Sequence, residues 1–315
     1  MDYTVRVFQQ ENIHDACQLF IEKYEKERAI LPLLPSRVID EPTWIAHMLA
    51  KHLAQEPGVA VFHQGRLAGY MVSGFRFPFK GQQAAMIPEY GHASLEKDQA
   101  ELYSLLYMGL AEKWAATGVQ LHLIRHLAGD AVLQEILFQL GFGAVVAERL
   151  RDLSSVEDVS VVEIVREQDS TRLIELHREH MRYYRASPIF LEKDADRPSA
   201  VADLEEHAGK DDFLVYYEDR EPAAYFIVGE AGDSHEGVLL RQTNTAQIKS
   251  AYAKPGMRHR GIGKALLRRA VEWAAAGGYD RLFVEHETAN HYGGPFWRRH
   301  FQPYLYGSMR YIEKT

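Results

Sequence analysis

Cysteine is nearly missing from this 315-residue chain. Cys17 is the single one, so no disulfide can form within the chain. Because disulfides are typical of oxidising compartments, we expect a reducing, cytoplasmic environment. The sequence also lacks an apolar run of about 18 residues, which a membrane-spanning helix needs, and its N-terminus shows no signal-peptide pattern. We therefore expect no membrane partner.

An excess of positive charge is missing as well. The chain has 36 Lys and Arg residues against 44 Asp and Glu, a net charge of -8. Nucleic-acid-binding domains concentrate basic residues, so we expect no nucleic-acid partner. His259, His291 and His300 do not have the spacing of metal ligands, and the sequence predicts no metal site. What remains is an ordinary globular composition, with 46% apolar and 25% charged residues, over a length sufficient for two domains.

Residues 248–266 carry the most specific pattern in the chain. A half-apolar run at 248–253 predicts a strand, a proline–glycine pair ends it, and apolar residues at helical spacing follow. A strand, a tight glycine loop and a helix in this order point several backbone N–H groups at one spot, which suits a phosphate or pyrophosphate. Gly261 and Gly263 would let an anion approach the backbone closely.

Three phosphate-loop patterns compete for this stretch. A Walker loop requires Gly-Lys-Ser/Thr, but Ile262 and Gly263 follow Gly261, and a Rossmann fingerprint requires a third glycine where Leu266 stands. The third pattern, Arg/Gln-x-x-Gly-x-Gly/Ala, is met by Arg258 and the two glycines. With its preceding strand and proline, the stretch resembles the GNAT superfamily of acyl-CoA-dependent N-acetyltransferases. In that family the loop holds the pyrophosphate of CoA.

A long internal repeat accompanies this pattern. Segments in the first half of the chain recur in the same order in the second half. The matched single residues named below are 157 to 159 positions apart. The matching features are Val5 and Val162, Leu19 and Leu176, the hairpin patterns at 59–70 and 213–226, and Trp114 and Trp273. The period is too long for a solenoid and predicts a duplicated domain.

We expect an α/β fold of two tandem GNAT-like domains, each a mixed twisted sheet flanked by helices, at residues 1–152 and 153–315. The positions of the first copy that correspond to Arg258, Gly261 and Gly263 are Gln99, Leu102 and Ser104. Both glycines are therefore replaced, and Glu101 would repel an anion. The first domain is predicted to be degenerate, without the glycine loop, and a CoA site built differently there is the alternative.

The resemblance implies how acetyl-CoA, the expected cosubstrate, is held. The strand before the loop binds the pantetheine arm through its backbone, the loop binds the pyrophosphate, and an asparagine after the next strand contacts the cofactor. A tryptophan stands where the family usually has a tyrosine, and we expect it to pack against the pantetheine arm. The implied residues are Ala251, Tyr252, Ala253, Arg258, His259, Arg260, Gly261, Ile262, Gly263, Lys264, Asn290 and Trp297.

Catalysis needs a proton acceptor, because an alkylammonium has a pKa of about 10.4 and only the neutral amine attacks. Glu285 and Glu287 share one face of the strand predicted at 282–287, beside the gap where the family admits its acceptor. Trp297 cannot donate a proton as a phenol does. Tyr292 is the expected substitute general acid, unless the thiolate of CoA leaves without help. The predicted catalytic residues are Glu285, Glu287 and Tyr292.

These patterns predict an N-acetyltransferase that moves an acetyl group from acetyl-CoA to a primary amine by direct attack. The acceptor is a small molecule or a peptide, and the net acidic segment 186–198 suits a cationic amine. The alternative is a non-catalytic acyl-CoA sensor or scaffold derived from the same fold, which the missing tyrosine favours. The identity of the acceptor and the oligomeric state are left open by the sequence.

Overall fold

The computed structural model describes residues 2–79, 81–159, 161–232 and 237–313. The chain divides into two compact units, one made of Met1–Ala147 with Pro303–Thr315 and the other of Glu148–Gln302. The sequence predicted contiguous domains at 1–152 and 153–315. The structure instead places the C-terminal segment in the first unit, which therefore contains both ends of the chain.

The first unit alternates strands and helices. Its elements in chain order are β1 Tyr3–Val7, α1 Ile13–Ile30, α2 Arg37–Asp40, α3 Pro42–Leu53, β2 Gly58–His63, β3 Arg66–Val72, β4 Phe75–Phe79, β5 Gln82–Ile87, β6 His92–Ser94, α4 Gln99–Ala115, β7 Leu121–Leu127 and α5 Ala131–Gln139. Strand β8, Gly143–Arg151, runs across the boundary between the units, and the last strand of the chain, Gln302–Tyr311, returns almost entirely to the first unit.

Two groups of paired strands form the first unit. Strands β1, β2, β3 and β6 pair in that order, each antiparallel to the next. Strands β4 and β5 are antiparallel, β5 and β7 are parallel, and β7 is antiparallel to the C-terminal strand, with Leu127 opposite Leu305. The hairpin predicted at 59–70 is confirmed by β2 and β3. Helix α4 covers this framework, with Leu102, Leu106 and Trp114 fully buried.

The second unit repeats the same kind of arrangement. Its elements are β9 Val165–Glu167, α6 Ile174–Arg185, α7 Arg197–His207, β10 Asp212–Glu218, β11 Glu221–Glu230, β12 Thr245–Ala253, α8 Ile262–Ala276, β13 Arg281–Glu287 and α9 Gly293–His300; the C-terminal strand of the chain is β14, Gln302–Tyr311. Strands β9 to β12 are antiparallel neighbours in chain order, and β13 pairs parallel to β12. The sheet is mixed, as the sequence predicted.

The two faces of this sheet bury different sets of side chains. Helix α8 lies against one face and buries the stripe that its sequence shows, from Ile262 to Ala274. Helices α6 and α7 cover the other face, where Phe213, Val215 and Tyr225 are buried. Alternate residues of β12 therefore face opposite cores, with Ala251 packed towards α8 and Tyr252 towards α6. In the described ranges, no helix is long and apolar enough to cross a bilayer.

The pairing of β14 with β7 predicts that the first unit needs the C-terminal segment. A chain that ends at Gln302 leaves the β7 edge unpaired over Leu121–Leu127 and removes the buried side chains of Tyr304 and Leu305. We expect a lower unfolding temperature and faster hydrogen exchange in β7 than in β12. A chain that ends at Glu313 keeps β14 and is the control. Unchanged exchange in β7 after the longer truncation would contradict this pairing.

Candidate functional site: a glycine loop and a parted pair of strands

The predicted phosphate loop is a sharp turn between β12 and α8. A short 3-10 helix, Pro255–Met257, follows β12, and Gly261 then caps α8 with a φ of +82°. This left-handed conformation favours glycine, because a side chain there is strained. The N–H groups of the first turn, from Ile262 to Lys264, have no partner within the helix and lie at its positive end. The turn thus has the geometry of an anion site.

Charged side chains around the loop are already engaged. The Arg260 guanidinium pairs with the Glu218 carboxylate at 3.0 Å, and Lys264 Nζ donates to the backbone oxygen of Asp158 at 2.9 Å. His259 is exposed and has a φ of +61°. An anion at this turn would therefore meet mainly backbone N–H groups, with the two cations at the rim.

Strands β12 and β13 separate immediately beside the loop. Their parallel register runs from Thr245 opposite Arg281 to Ile248 opposite Val284, and both strands continue past it without a further recorded pair among the described residues. On its other edge, β12 stays paired with β11 through Ala253. The segment 251–253 therefore has one bonded edge and one edge that faces the gap. Its contact with a pantetheine arm stays a prediction.

An aromatic cluster surrounds Arg258 at the mouth of this gap. The Arg258 guanidinium carbon lies 4.1 Å from the ring centroid of Tyr292 and 5.2 Å from that of Tyr183, and its Nε donates to the backbone oxygen of Ala253 at 3.3 Å. The Tyr183 hydroxyl donates to Asn290 Oδ1 at 2.7 Å, and the same oxygen accepts from the N–H of Gly293 at 2.8 Å. The structure thus brings Arg258, Asn290 and Tyr292 together.

Trp297 lies in the core. Its side chain is 5% exposed and its ring packs against Phe226 and Phe301, with centroids 5.6 Å and 5.5 Å away. Burial explains why a tryptophan is tolerated where the resemblance leads us to expect a phenol. Its contact with the pantetheine arm remains a prediction.

The two predicted carboxylates project to the α6 face of β13. Burial raises the pKa of the Glu287 carboxyl above its ordinary range, while its own backbone N–H and the Lys193 ammonium oppose the shift. Burial, then the charges of Glu287 and other neighbours including Glu285, hold the pKa of Tyr184 well above its usual range. Tyr184 belongs to α6, so these interactions place both carboxylates beside that helix. They form the acidic side of the gap.

His286, which points the other way, is held by both ring nitrogens. Arg149 Nε donates to its Nε2 at 3.0 Å, and its Nδ1 lies 2.9 Å from the backbone oxygen of Glu287. Burial lowers its pKa to about 4. The ring is therefore neutral at physiological pH and ties the end of β13 in place.

A buried polar chain on the α6 face was not predicted from the sequence. His177 Nε2 lies 2.6 Å from the Asp203 carboxylate, and His177 Nδ1 lies 2.6 Å from the Tyr225 hydroxyl. That hydroxyl is also 2.8 Å from His180 Nδ1 and 3.2 Å from Ser250 Oγ. Because a carboxylate only accepts, His177 donates from Nε2 to Asp203, and the Tyr225 hydroxyl lies between the Nδ1 atoms of the two histidines.

This chain fixes the side chains next to the gap. The His180 ring stacks on Tyr252 of β12 with centroids 5.0 Å apart and an interplanar angle of 23°. Burial, and then the neighbouring His177, holds the pKa of His180 well below its ordinary value, so the ring is neutral. Two histidines three residues apart on one helix face, with a tyrosine on a core strand, were the only sequence signal that could have revealed it.

The equivalent region of the first unit is filled. The parallel register of β5 and β7 ends at Ile87 opposite Ile124, and just beyond it the Arg125 Nε lies 3.2 Å from the Glu89 carboxylate, both residues being buried. The positions that were matched to the glycine loop are Gln99, Leu102 and Ser104, and all three lie within helix α4. Leu102 is fully buried there.

The comparisons with known proteins identify the family of the second unit and the fold of the chain. Residues 172–301 match the family model described as the acetyltransferase (GNAT) family. The second unit is a GNAT domain. A GCN5-related N-acetyltransferase from Sphaerobacter thermophilus is similar over 99% of this chain and 96% of its own, at 14% identity and a TM-score of 0.60. A tandem GNAT protein from the clavulanic acid biosynthesis pathway is similar over 100% of this chain and 99% of its own, at 12% identity and a TM-score of 0.52.

These structural likenesses show the fold, and the whole chain therefore has a tandem GNAT fold, as the sequence predicted. The family model covers only the second unit. The search of curated proteins returned no match. Among the described residues, no group of three or more His, Cys, Asp or Glu side chains has the arrangement of a metal site.

The buried chain predicts a stability effect. Replacing Tyr225 with Phe removes the shared hydroxyl. His177 Nδ1 then loses its partner and His180 Nδ1 keeps only Ser250 Oγ at 3.5 Å, so we expect the free energy of unfolding to fall by about 1–3 kcal/mol. Urea denaturation followed by circular dichroism measures it. The control is Tyr311→Phe, whose side chain is 55% exposed. Equal midpoints for the two variants would show that the chain contributes nothing to stability.

Proposed function

We propose that the protein is an acyl-CoA-dependent N-acetyltransferase whose single CoA site lies in the second unit. The observation that carries the proposal is the open first turn of α8 behind Gly261, placed at the end of a strand with one free edge. An anion held by N–H groups and a linear arm that pairs with a strand edge match the pyrophosphate and pantetheine of CoA. Acetyl-CoA is the proposed acyl donor.

The proposed cofactor contacts follow from this placement. The pyrophosphate binds the N–H groups of residues 259–264, with Arg260 and Lys264 at the rim. The pantetheine arm pairs with the free edge of 251–253, and a strand N–H polarises the thioester carbonyl. Arg258 and Asn290 lie at the mouth of the gap, where they can close over the arm.

The proposed acceptor enters from the α6 face as a primary ammonium. Glu285 and Glu287 attract it, and Glu287 takes one proton, directly or through water. The neutral nitrogen then attacks the thioester carbonyl, the C–S bond breaks, and the CoA thiolate leaves with the electron pair. The second nitrogen proton is transferred to that thiolate, with Tyr292 as the proposed intermediary. A raised pKa suits Glu287 to this task, because it makes the carboxylate a stronger base.

The first unit is proposed to bind no CoA. Its helix α4 begins at Gln99, so Leu102 and Ser104, the positions that match the two glycines, lie inside the helix, and the N–H of Leu102 is bonded to the backbone oxygen of Asp98. The Glu89–Arg125 pair occupies the place of the gap. A role in supporting the second unit or its acceptor fits this filled arrangement.

A loop variant tests the CoA site. Replacing Gly261 with Val forces a β-branched residue into a φ of +82°, which costs about 1–3 kcal/mol, so we expect CoA affinity to fall about tenfold or more. Gly256→Val is the matched control, since a Cβ there meets nothing within 4 Å. Leu102→Val tests the first unit and should leave affinity unchanged.

Isothermal titration with CoA measures all three variants, and circular dichroism verifies that each is folded. If Leu102→Val alone weakened CoA binding, the live site would lie in the first unit. If the unaltered protein gave no binding signal, the proposal would be overturned. CoA binding with no thiol release on any amine of a panel would favour the sensor or scaffold over the enzyme.

Replacing Glu287 gives a second test, because the same change should lower activity and raise stability. Glu287→Gln removes the proposed base, and we expect kcat to fall about 10²- to 10⁴-fold. The folded-state pKa of Glu287 is raised, so ionisation near neutral pH opposes folding. The glutamine variant should therefore unfold at a higher temperature at pH 7, and this difference should vanish below about pH 4, where the carboxyl is protonated in both states.

Glu285→Gln on the same strand face is the matched control for both measurements. We also expect the acid limb of the pH–rate profile to lie above the range of an ordinary carboxyl in the unaltered protein, because activity is lost as Glu287 is protonated. A glutamine variant with full activity would remove Glu287 from the mechanism.

A further inference from the structure

Lys193 brings a primary amine of the chain itself to the proposed acceptor side. It lies in the loop between α6 and α7, and its side chain is half-buried. Its Nζ is 4.5 Å from the ring centroid of Tyr184, within the range of an ammonium–aromatic interaction. After burial, the charge of Glu287 is the largest influence on the pKa of the Tyr184 hydroxyl. Lys193 therefore shares its surroundings with the proposed base.

The backbone around Lys193 is attached to α6 on both sides. Arg185 Nε donates to the backbone oxygen of Lys193 at 2.7 Å. Two residues before it, the N–H of Leu191 donates to the oxygen of Tyr184 at 2.9 Å, and two residues after it, Arg178 Nε donates to the oxygen of Ala195 at 3.2 Å. The Lys193 side chain thus starts from a fixed point and extends over the α6 face.

The Lys193 ammonium interacts electrostatically with three groups on the acceptor side. Its charge counteracts burial in setting the pKa of Glu287, contributes to lowering the pKa of Asp203, and adds to the depression at His180. These three groups belong to β13, α7 and α6, the elements that enclose the acceptor side. The ammonium is therefore close enough to each of them to act electrostatically.

Lys193 differs from the buried lysines that only stabilise the fold. Lys23 Nζ pairs with the Asp130 carboxylate at 3.0 Å, and Lys249 Nζ pairs with the Asp211 carboxylate at 2.9 Å. Within the part of the chain that the structure describes, Lys193 has no carboxylate at ion-pair distance. Its ammonium instead contacts the ring of Tyr184, a weaker interaction that is readily exchanged.

We propose that Lys193 is an internal acceptor, whose ammonium occupies the acceptor pocket and is acetylated by the protein's own second unit. This proposal rests on the acetyltransferase function proposed above. The reaction is the same as with a free amine. Glu287 takes one proton from Nζ, the nitrogen attacks the thioester carbonyl of acetyl-CoA, the C–S bond breaks, and CoA leaves as a thiolate that takes the second proton. An Nζ-acetyl-lysine and free CoA are the products.

Acetylation would change the pocket in two ways. It removes the cation that competes with an incoming ammonium for Glu285 and Glu287, and it ends the ammonium contact that ties the loop to Tyr184. Both changes favour entry of a cationic acceptor. Lys193 would thus act first as a substitute substrate and then, once acetylated, leave the acidic side open.

The experiment is incubation of the full chain with acetyl-CoA and no other amine, followed by intact mass measurement and peptide mapping. We expect one acetyl group, on Lys193, at a rate independent of protein concentration because the step is intramolecular. Lys193 should react at least about tenfold faster than Lys210, an exposed lysine of the same unit, because its amine lies on the Tyr184 ring, within electrostatic reach of Glu287. Lys193→Arg keeps the charge and should take up no acetyl group at that position.

Gly261→Val separates enzymatic from chemical acetylation, since it should lose the reaction at Lys193 and keep any slow reaction at Lys210. Equal rates at the two lysines, or an unchanged rate at Lys193 in Gly261→Val, would overturn the inference. If CoA binds and a free amine is acetylated while Lys193 is not, the inference fails and the function stands. If isothermal titration shows no CoA binding, the proposed acetyltransferase function is contradicted, and the inference about Lys193 is contradicted with it.

Discussion

The open gap of the second unit depends on where strands β12 and β13 stop pairing with each other. Strands β12 and β13 are parallel neighbours only as far as Ile248 and Val284, and beyond that point they no longer pair with each other, while β12 stays paired with β11. Backbone groups freed in this way must be satisfied by something other than the sheet, because unpaired buried N–H and C=O groups are costly. The same separation puts the end of β12 directly before the Gly261 turn and the end of β13 beside α6. The proposed sites for the pantetheine arm, the pyrophosphate and the amine therefore lie around a single gap.

The first unit shows what happens to the same frame when the gap is filled from within. Glu89 and Arg125 follow the last pair of β5 and β7, and each neutralises the other in a buried environment. Removing one partner of such a pair leaves an uncompensated charge, so a filled gap is difficult to reopen by single changes. The helix that begins at Gln99 likewise replaces a strained glycine turn with ordinary helical backbone. The first unit thus has a filled and locally stable gap, whereas the second unit keeps an open gap and a strained glycine turn.

Sequence reasoning succeeded where the determinants are local. The turn at Gly261 and the stripe of α8 follow from glycine placement and helical spacing over about twenty residues, and the repeated hairpins follow from alternation and turn residues. It failed where partners are distant. The pairing of Leu305 with Leu127 joins opposite ends of the chain, and the contacts of Tyr225 with His177 and His180 span 48 and 45 residues. No periodicity encodes such pairings, because they depend on which elements the fold brings together.

The acidic side of the gap combines features that oppose stability. Glu287 is buried enough for its pKa to rise, and Tyr184 beside it is buried as well. A fold under selection for stability alone would replace this carboxyl with an apolar or amide side chain, because nothing in the core requires its charge. The Lys193 ammonium partly offsets the cost from a position where it can be displaced. The charge of Glu287 is thus offset by a weakly held cation, which the ammonium of the proposed amine acceptor can replace.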